Sequence, residues 1–527
     1  MARNESTHTL IVGSGVAGGL IAERLLAAGM GPVTMLEAGA NLKMRDRRSW
    51  LDFVTAGTIP YAGLSDVAGD YETAGTMPWL IEGGRLMARG GSTLHWGGWC
   101  PRMKPEDFEI ESRIGFGGLD WPFSYDDLQP YYERAESYLQ VAGDSNSQDP
   151  PRRNPYPFEA PTFTLTDGVF ISALERLGIS YGHLPIARNA RGINGNAQCV
   201  TFGTCDYCPV GARFTGDQPL DRLQARHDRA TFELRLGAAA RRVLVSRKHQ
   251  AVGVEYVDLA TGAVKVIEAE EIILCAGSYE TPKLLIASAS PSWPHGIGND
   301  TDQVGRYVIA HPFFFARGFS PTNPLRLQEE LNFPTAQSRH WDTPEFQREG
   351  KFILTKAQTP LLDIAALMGE GRLAAEIDAA TAGAQTMDLF GSIQIFSEFE
   401  NRVLPANGTT RFGLPRTRIE TPVPAFSAAF EQTILDRMNR VLVEMGYTPV
   451  FAGAFPQRGD HAMCTCRMSE SPARGVVDPD LKVHGMDNLH IVSNAVFASG
   501  GAANPTLTLT AVALRFLDRF VADRHAS

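Results

Sequence analysis

The sequence has no long apolar segment and no surplus of basic residues, and each lack excludes a class of protein. Its apolar runs, such as residues 313–316 and 511–514, fall far short of the roughly 18 to 20 residues that a membrane-spanning helix needs. Lysine and arginine number 49 against 59 aspartate and glutamate residues, so the formal net charge is -10. Such a chain has no overall positive field to attract a phosphate backbone. We therefore expect no transmembrane segment of its own and no nucleic-acid partner.

Cysteine is also scarce, with seven residues in a chain of 527. That number is too small for a disulfide framework at this length. Residues 1–8 lack the basic region of a signal peptide, so we predict no secretory or twin-arginine signal on this chain. No internal repeat or low-complexity tract is visible. The content of 43% hydrophobic and 20% charged residues is typical of a globular protein, here one long enough for two or more domains.

The first forty residues carry the pattern of a βαβ unit. Residues 9–12 have the composition of a buried strand, a Gly-rich turn follows, and an Ala- and Leu-rich helical stretch runs through Leu26. Residues 33–36 then have the composition of a second buried strand. Two parallel strands joined by a helix need a sheet that is covered by helices. The N-terminal region is therefore predicted to be α/β.

The turn of this unit has the glycine spacing of a dinucleotide-binding site. Gly13 permits a tight turn, Gly15 lets the backbone approach a pyrophosphate, and Gly18 allows the helix to pack closely on the strand. The helix N-terminus adds amide donors and a partial positive charge, and Glu37 at the end of the second strand can bind a ribose hydroxyl. These residues predict a bound dinucleotide, with FAD and NAD both open.

Other segments predict further elements of the fold. A helix is expected over residues 125–141 after a Ser124 cap, and a hairpin turn at residues 260–263 between two β-branched runs. An Ala-rich helical stretch is expected near residues 373–384, with surface or interface packing as its role. The chain should end with a strand at residues 489–492 and a helix at residues 506–521.

Four further segments together resemble one enzyme family. They are a second Gly-rich turn from Arg89 to Gly98, a helix entry from Gly277 to Leu285, and two C-terminal segments, His461 to Met468 and Ala503 to Thr508. In this order they resemble the glucose-methanol-choline (GMC) FAD oxidoreductases. Among these, the chain is most similar to the catalytic subunits of bacterial iron–sulfur sugar dehydrogenases such as glucoside 3-dehydrogenase, gluconate 2-dehydrogenase and FAD glucose dehydrogenase.

The resemblance implies an α/β fold with a discontinuous Rossmann-like FAD-binding domain and an inserted α+β substrate-binding domain. The FAD domain is expected to span residues 1–304, with excursions from the sheet at 40–84 and 101–195 and a cysteine loop at 199–209. The substrate domain is expected to span residues 305–450. Residues 451–527 are expected to return to the FAD domain.

The same resemblance assigns His461 and Asn504 as the catalytic pair. Removal of a hydroxyl proton while a hydride leaves the carbinol carbon needs a group that titrates near neutrality, and imidazole is that group. An amide can hold the alkoxide by a hydrogen bond without competing for the proton. Two departures from the family pattern are Cys464 in place of glycine and Ser493 in place of aspartate. His311, in a His-Pro segment that also matches the family, is assigned a structural role.

The resemblance also implies which residues contact the flavin. His95 stands where some family members carry a histidyl link to the flavin ring and others keep an unlinked histidine, so a covalent bond is left open. The residues expected to bind the cofactor are Gly13, Gly15, Gly18, Glu37, Gly90, Gly91, His95, Val243, Asn504 and Pro505.

Three of the cysteines, Cys199, Cys205 and Cys208, lie within ten residues and end in a Cys-Pro pair. Three thiolates at short spacing suit an iron–sulfur cluster with three protein ligands. The segment resembles the [3Fe-4S] segment of the sugar dehydrogenases, which has one more residue between the second and third cysteines. The alternatives are a cysteine-rich stretch without a cluster and, less suited, a zinc site lacking its fourth ligand. The other four cysteines are expected to be small buried hydrophobic residues.

These features predict an FAD-dependent dehydrogenase that oxidises a secondary alcohol of a sugar or glycoside, with C3 of a glucoside as the expected position and a 3-keto sugar as the product. The cluster would relay electrons to a cytochrome or another acceptor. A small signal-bearing subunit is the expected partner, with periplasmic location by co-export, or cytoplasmic location if that partner is absent. The alternative is a cluster-free GMC oxidase, similar to pyranose oxidase, that reduces oxygen to hydrogen peroxide. A flavoprotein scaffold without activity would have no use for His461 paired with Asn504.

Overall fold

A computed structural model gives the structure of most of the chain. It describes residues 5–42, 44–56, 61, 68–76, 79–81, 84–192, 197–200, 207–246, 250–320, 334–348, 350–356, 368–369, 371–376, 385–424, 426–455 and 457–526. Among these residues, none of the helices combines the length and the apolarity that crossing a bilayer requires.

Strands make up much of the described chain. In chain order they are β1 (Glu5–Val12), β2 (Val33–Glu37), β3 (Tyr71–Gly75), β4 (Trp79–Leu80), β5 (Val141–Gly143), β6 (Phe158–Glu159), β7 (Gly182–His183), β8 (Ile186–Ala187), β9 (Phe232–Leu236), β10 (Ala238–Val245), β11 (Ala251–Asp258), β12 (Ala263–Leu274), β13 (Phe313–Ser320), β14 (Ala336–Ser338), β15 (Phe352–Lys356), β16 (Gln385–Ile393), β17 (Arg402–Thr409), β18 (Pro415–Thr421), β19 (Thr448–Phe455), β20 (Gln457–Arg458) and β21 (Leu489–Ile491).

The helices lie between and around these strands. The α-helices are α1 (Val16–Ala27), α2 (Arg47–Ala56), α3 (Ile110–Ile114), α4 (Tyr125–Leu139), α5 (Leu165–Arg176), α6 (Asp217–Arg226), α7 (Gly277–Ala287), α8 (Ala428–Glu444) and α9 (Pro505–Ala526). Short 3₁₀ helices span Ala68–Asp70, Gly91–Leu94, Pro105–Phe108, Pro344–Phe346, Gly459–His461 and Asn494–Val496.

The larger sheet has seven strands in the order β10-β11-β12-β1-β2-β9, with β21 paired to β12. The strands β12, β1, β2 and β9 are mutually parallel, as is β21 with β12. Val12 at the end of β1 pairs with Leu274 of β12 and Leu36 of β2, so the carboxyl ends of these strands lie level. Open parallel sheets bind ligands beside these ends. The α/β fold that the sequence predicts is confirmed.

The centre of this sheet is buried on both faces, as parallel sheets require. All five residues of β2 are buried, and Leu10 and Ile11 of β1 are fully buried. Helix α1 packs on β1 and β2 and also against α9, which in turn packs against α4. The β1 to α1 turn is therefore anchored on a rigid core.

A second sheet of six antiparallel strands has the order β19-β13-β16-β15-β14-β7. Helix α8 packs on β13 and β19, and α5 packs against α8. Phe314, Phe352 and Met438 belong to the core between these layers. Apart from β7, the strands of this sheet come from residues 313–455. The domain boundaries themselves stay a prediction.

Several local expectations can be compared with the structure. The hairpin at residues 260–263 joins β11 and β12, as predicted. Helix α4 has its Ser124 cap but ends at Leu139, two residues early, because Gln140 takes a left-handed conformation with φ of 59° and Val141 begins β5. The closing helix runs on to Ala526, five residues further than predicted. Most of the predicted helical stretch at 373–384 lies outside the described residues.

Candidate functional site

A cavity of about 550 Å³ lies beside the carboxyl ends of β1 and β2. Its walls include the β1 to α1 turn, the second Gly-rich turn, the start of α7 and the segments that hold His461 and Asn504. This volume is within the range of small-molecule and cofactor sites. The cavity thus brings the predicted nucleotide turn and the predicted catalytic pair to one place.

The first Gly-rich turn uses its three glycines in different ways. Gly13 has φ of +103°, and a Cβ there would lie 2.5 Å from the carbonyl oxygen of Cys275. A Cβ on Gly18 would overlap the carbonyl oxygen of Gly13. Gly15 precedes the first residue of α1 and lines the cavity, with no atom within 4 Å of where its Cβ would be. Gly13 and Gly18 thus keep the turn tight, and Gly15 leaves open space for a ligand.

Glu37 lies at the end of β2 and is buried. Its carboxylate accepts hydrogen bonds from the backbone N–H of Ser14 at 3.0 Å, from Ser14 Oγ at 2.7 Å and from the backbone N–H of Gly39 at 2.8 Å. The pKa of Glu37 is raised above its usual value because the effect of burial exceeds the opposite effect of these hydrogen bonds. The side chain lines the cavity next to the Gly-rich turn, where a ribose hydroxyl can reach it.

The second Gly-rich turn packs directly on the first. Gly90 and Gly91 have φ of +100° and +63°, and a Cβ on Gly91 would lie 3.0 Å from the Cα of Gly15. The backbone N–H of Gly90 donates to Ser14 Oγ at 3.3 Å. His95 follows on the cavity wall, and its ring meets that of Tyr61 edge-on at 5.6 Å. Residues about eighty positions apart thus form one wall.

Four of the predicted cofactor residues, Gly18, Gly90, Val243 and Pro505, are absent from the described residues that line the cavity. Gly18 and Gly90 belong to the two Gly-rich turns and shape them without lining the cavity. Pro505 is the first residue of α9, a position that suits proline because no backbone N–H is needed there. Val243 is buried in β10, and its N–H donates to Ser288 Oγ at 2.8 Å. On that strand the cavity is lined by other residues, Ala238, Ala240 and Arg241.

A largely buried charged trio that the sequence analysis missed also lines the cavity. Arg85 Nη1 and Lys283 Nζ each lie 2.9 Å from the Glu280 carboxylate. Burial alone would raise the pKa of Glu280, but the two cations hold it below its usual value. The trio carries one net positive charge, which suits an anionic cofactor. Lys283 lies within the segment from Gly277 to Leu285, so the motif in that segment could have indicated it as a site residue.

Gly15 allows a direct test of dinucleotide binding. Gly15→Ala puts a methyl group into the open space of the cavity at an ordinary φ of -68°, so the fold should tolerate it. We expect FAD affinity to fall by roughly tenfold or more, because the backbone can no longer approach the pyrophosphate. Titration of apoprotein with FAD measures this. Gly168→Ala, in helix α5 with equal space around its Cβ, is the control and should bind FAD normally. Equal affinity of both variants would contradict this use of the turn.

His461 and Asn504 meet in the cavity. His461 ends a 3₁₀ helix, and Asn504 directly precedes α9. The Asn504 amide nitrogen lies 3.3 Å from Nε2 of His461. The pair predicted from the two C-terminal segments is thus within hydrogen-bond distance, with an imidazole and an amide directed at the same space.

A third polar residue, His311, joins this pair. Its Nδ1 lies 2.9 Å from Nδ1 of His461, and its Nε2 lies 2.8 Å from the carbonyl oxygen of Gly501. The sequence analysis assigned His311 a structural role because only the His-Pro pair was visible. The contact with His461 joins positions 150 residues apart, which no local pattern indicates.

An aromatic wall, defined here as Trp99, Phe313, Phe315 and Phe390, lines the cavity beside His461. The Phe390 ring lies 4.4 Å from Phe313, 5.0 Å from Phe315 and 5.7 Å from Trp99. The Phe313 ring meets His461 at 5.4 Å. Three of the four residues come from β13 and β16 of the second sheet. The sequence analysis missed the aromatic wall because ordinary core strands also contain phenylalanine.

The two departures from the family motif cause no visible disruption. Cys464 has φ of 73°, a conformation that glycine adopts without strain, and its backbone N–H donates to the Asn494 carbonyl at 3.1 Å. The chain therefore takes a left-handed turn here despite the cysteine. Ser493 lines the cavity, and its Oγ accepts the N–H of Ala495 at 3.3 Å.

The predicted cluster cysteines are only partly described, because Cys205 lies outside the described residues. Cys199 and Cys208 are half-buried. Arg188 Nε donates to Sγ of Cys199 at 2.8 Å, and the N–H of Ala212 donates to Sγ of Cys208 at 3.2 Å. Hydrogen bonds of this kind suit cluster thiolates. Within the described part of the chain no group of three metal-binding side chains is found, so the cluster stays a prediction.

The segment after Cys208 is tied to the second Gly-rich turn. Arg213 donates to the carbonyl oxygens of Trp96 at 2.5 Å and Leu94 at 2.7 Å, on either side of His95. The Trp96 indole donates in turn to the carbonyl of Phe214 at 2.8 Å. Arg213 follows Cys208 by five positions in the chain, so their Cα atoms are at most about 18 Å apart. Cys208 therefore lies within about 18 Å of Arg213, the residue that holds the wall on both sides of His95.

Of the four remaining cysteines, three are buried as the sequence predicts, and the prediction is wrong for Cys275. Cys100, Cys464 and Cys466 are fully buried. Burial raises the pKa of each thiol, so these side chains stay neutral and behave as small hydrophobic residues. Cys275 is half-buried and lines the cavity beside Gly13.

Comparison with known proteins adds to this geometry. Two family models described as GMC oxidoreductase match residues 79–313 and 423–513. The large subunit of fructose dehydrogenase from Gluconobacter japonicus is 26% identical over 98% of this chain and 98% of its own length. The 6'''-hydroxyparomomycin C oxidase of Streptomyces lividus is 27% identical over 98% of this chain and 92% of its own. Formate oxidase, a solved structure, covers 100% of both chains with a TM-score of 0.69 at 15% identity, a likeness of fold alone.

Proposed function

Because the chain belongs to the GMC oxidoreductase family, we propose that it is an FAD-dependent dehydrogenase that oxidises a secondary alcohol of a sugar or glycoside. The family that the sequence motifs predicted is confirmed. The observation that carries the proposal is that His461 and Asn504 meet in the cavity that the dinucleotide-type turn also lines. An alcohol held there would have a proton acceptor and a hydrogen-bond donor at its reacting carbon.

The residues around the cavity fit FAD. Gly15 leaves open space at the N-terminus of α1, and the amides there suit a pyrophosphate. Glu37 is placed for the ribose, and the trio of Arg85, Glu280 and Lys283 adds a net positive charge. Gly91 and His95 line the part of the wall that the resemblance assigns to the flavin ring. A covalent bond to His95 stays a prediction.

In the proposed reaction His461 takes the hydroxyl proton of the substrate. FAD, when bound, supplies the acceptor for the hydride that leaves the carbinol carbon. Asn504 donates from its amide nitrogen to the substrate oxygen, which stabilises the negative charge that develops there. The Phe313 ring, which meets His461 edge-on at 5.4 Å, places an apolar surface beside the base.

The aromatic wall supports a ring-shaped substrate. A pyranose has faces made of C–H bonds, and such faces pack well on aromatic rings. Pockets with apolar walls and a few well-placed polar groups are usual for small ligands. The name of the Gluconobacter relative, a fructose dehydrogenase, also supports a sugar. Within this class the proposal places the oxidation at C3 of a glucoside.

Phe390 allows a test of substrate packing because it contacts the other three members of the aromatic wall. We expect Phe390→Leu to raise the KM for the best sugar substrate by roughly tenfold, while flavin reduction at saturating sugar stays within a few-fold of wild type. Loss of a stacked ring weakens binding without touching the reacting atoms. Phe412→Leu, at a buried site outside the cavity, is the control. An unchanged KM in Phe390→Leu would show that the aromatic wall does not contribute to substrate binding.

Electron transfer from the flavin is proposed to pass through a [3Fe-4S] cluster on Cys199, Cys205 and Cys208. The hydrogen bonds to the two described sulfurs support this, as does the link from Arg213 to the residues around His95. The cluster would supply one-electron steps to a cytochrome or another carrier. The alternative is a cluster-free oxidase that reduces oxygen to hydrogen peroxide. The similarity to an oxidase supports this alternative, so the experiment below includes it as an outcome.

A partner subunit is part of the same proposal. The Gluconobacter relative is named as a large subunit, which supports a further subunit for this chain. Periplasmic location by co-export with a small signal-bearing subunit stays a prediction. Expression with and without such a subunit, followed by cell fractionation, tests it: co-export predicts periplasmic protein only in the first case.

A panel of sugars, glycosides and simple alcohols with an artificial dye acceptor tests the main proposal. Anaerobic bleaching of the flavin by a glycoside, with a keto sugar as product, is the expected result. Turnover only with non-sugar alcohols would contradict the sugar class. Oxygen consumption with stoichiometric hydrogen peroxide, by protein that contains no iron, would establish the oxidase alternative. No flavin reduction by any alcohol would overturn the enzyme assignment.

A further inference from the structure

His311 is buried against His461, and the mechanism so far gives it no part. Only 1% of its surface is exposed. Its two ring nitrogens each have a partner, His461 Nδ1 at 2.9 Å and the Gly501 carbonyl oxygen at 2.8 Å. The two imidazole rings are nearly perpendicular, at 88°. A histidine held at both nitrogens has a defined set of proton positions.

The partners settle where the protons are. A carbonyl oxygen only accepts hydrogen bonds, so Nε2 of His311 must carry a hydrogen. Burial and the neighbouring His461 lower the pKa of His311 to about 3, so near neutral pH it has a single ring proton. Its Nδ1 is therefore a bare acceptor. The 2.9 Å contact can then be a hydrogen bond only if Nδ1 of His461 carries the hydrogen.

From this we infer that His311 is a positioning residue that fixes His461 as the Nδ1–H tautomer and so leaves Nε2 as the nitrogen that accepts the substrate proton. The inference rests on the proposed role of His461 as the base. Asn504 agrees with it independently, because its amide nitrogen, a donor, is the atom that lies 3.3 Å from Nε2. When Nε2 takes up a proton, Nδ1–H keeps its bond to His311, so the ring need not turn.

The carbonyl that orients His311 is itself held in place. Gln394 Nε2 donates to the Gly500 carbonyl at 2.8 Å, and Ser392 Oγ donates to the Ala502 carbonyl at 3.0 Å. The two histidine segments are also joined directly, because Met463 N–H donates to the Ile309 carbonyl at 2.9 Å. Ser392 of β16 and Gln394, which follows it, thus hold the carbonyls on either side of the acceptor, and a backbone hydrogen bond joins the two histidine segments.

The tautomer of His461 can be observed without any substrate. In holoenzyme labelled with ¹⁵N-histidine, the His461 signals are those lost in His461→Gln, and the ¹⁵N shifts of the two ring nitrogens distinguish the tautomers. The Nδ1–H form is expected in wild type. The Nε2–H form in wild type would overturn the inference, whether or not an alcohol substrate is found. If the tautomer is as expected but no alcohol reduces the flavin, it is the proposed function that fails.

Two variants of His311 test the consequence for catalysis. His311→Leu removes the acceptor for Nδ1 of His461, and we expect flavin reduction at saturating substrate to slow by roughly 10²-fold with little change in KM. His311→Asn can place its amide oxygen near the position of Nδ1 and should recover at least about tenfold of that loss. FAD content and thermal unfolding of both proteins are compared with wild type. Equal rates of flavin reduction in His311→Leu and His311→Asn would contradict the positioning role and show that His311 serves only in packing.

Discussion

Replacement of His461 by alanine is expected to slow the reduction of the flavin by substrate by roughly 10²- to 10⁴-fold, the usual contribution of a positioned general base. The imidazole lies 3.3 Å from Asn504 and 2.9 Å from His311, so its removal takes the proton acceptor out of a prearranged set. Stopped-flow measurement at saturating sugar reports this step directly.

Asn504→Ala should slow the same step, but less severely, because the base remains. The control is FAD content, which should be unchanged in His461→Ala, since the dinucleotide-type turn at Gly13 to Gly18 is built by other elements. A His461→Ala protein that reduces its flavin at the wild-type rate would remove His461 from the mechanism. The assignment of the pair, and with it the role of His311, would then have no support.

Replacement of Cys208 by serine is expected to damage electron transfer to a cytochrome or an electrode roughly tenfold or more beyond any effect on flavin reduction by the sugar. A relay cluster acts after the substrate has been oxidised, so its loss leaves the first half of the reaction intact. Cys205→Ser should behave alike. The wild-type protein, purified without oxygen, should contain about three irons and give a low-temperature paramagnetic resonance signal when oxidised.

Cys100→Ala is the matched control, because Cys100 is fully buried in the core and lies outside the cysteine segment. It should keep iron, flavin and both rates. Iron-free wild-type protein with full activity toward oxygen would contradict the relay and favour the oxidase. Equal losses of flavin reduction and of electron transfer in Cys208→Ser would indicate damage to the fold, and thermal unfolding of the variant distinguishes that case.

The sequence and the structure agree best where the chemistry is local. The Gly13 to Gly18 turn, the Ser124 cap of α4 and the hairpin between β11 and β12 depend on backbone conformations that a few adjacent residues dictate. The end of α4 was less predictable, because a left-handed Gln140 stops the helix and glutamine has no strong preference for that conformation.

The assignment of Val243 to the cofactor stays a prediction. Alternate side chains on a strand point to opposite faces, so a resemblance that places a strand beside a cofactor does not by itself say which of its residues face the cavity. On β10 the residues that line the cavity are Ala238, Ala240 and Arg241, whereas Val243 is in the core. A run of β-branched residues identifies the strand but leaves its cavity-facing residues undetermined.

By itself the sequence determined the α/β class, the dinucleotide-type turn and which segments carry His461 and Asn504, because each depends on residues within a short stretch. Only the tertiary structure decided that His311 faces His461 and that β13 and β16 supply three of the four residues of the aromatic wall. The physical reason is that these contacts join residues far apart in the chain. They arise from how the second sheet packs beside the first, and isolated histidines and phenylalanines carry no local sign of such packing.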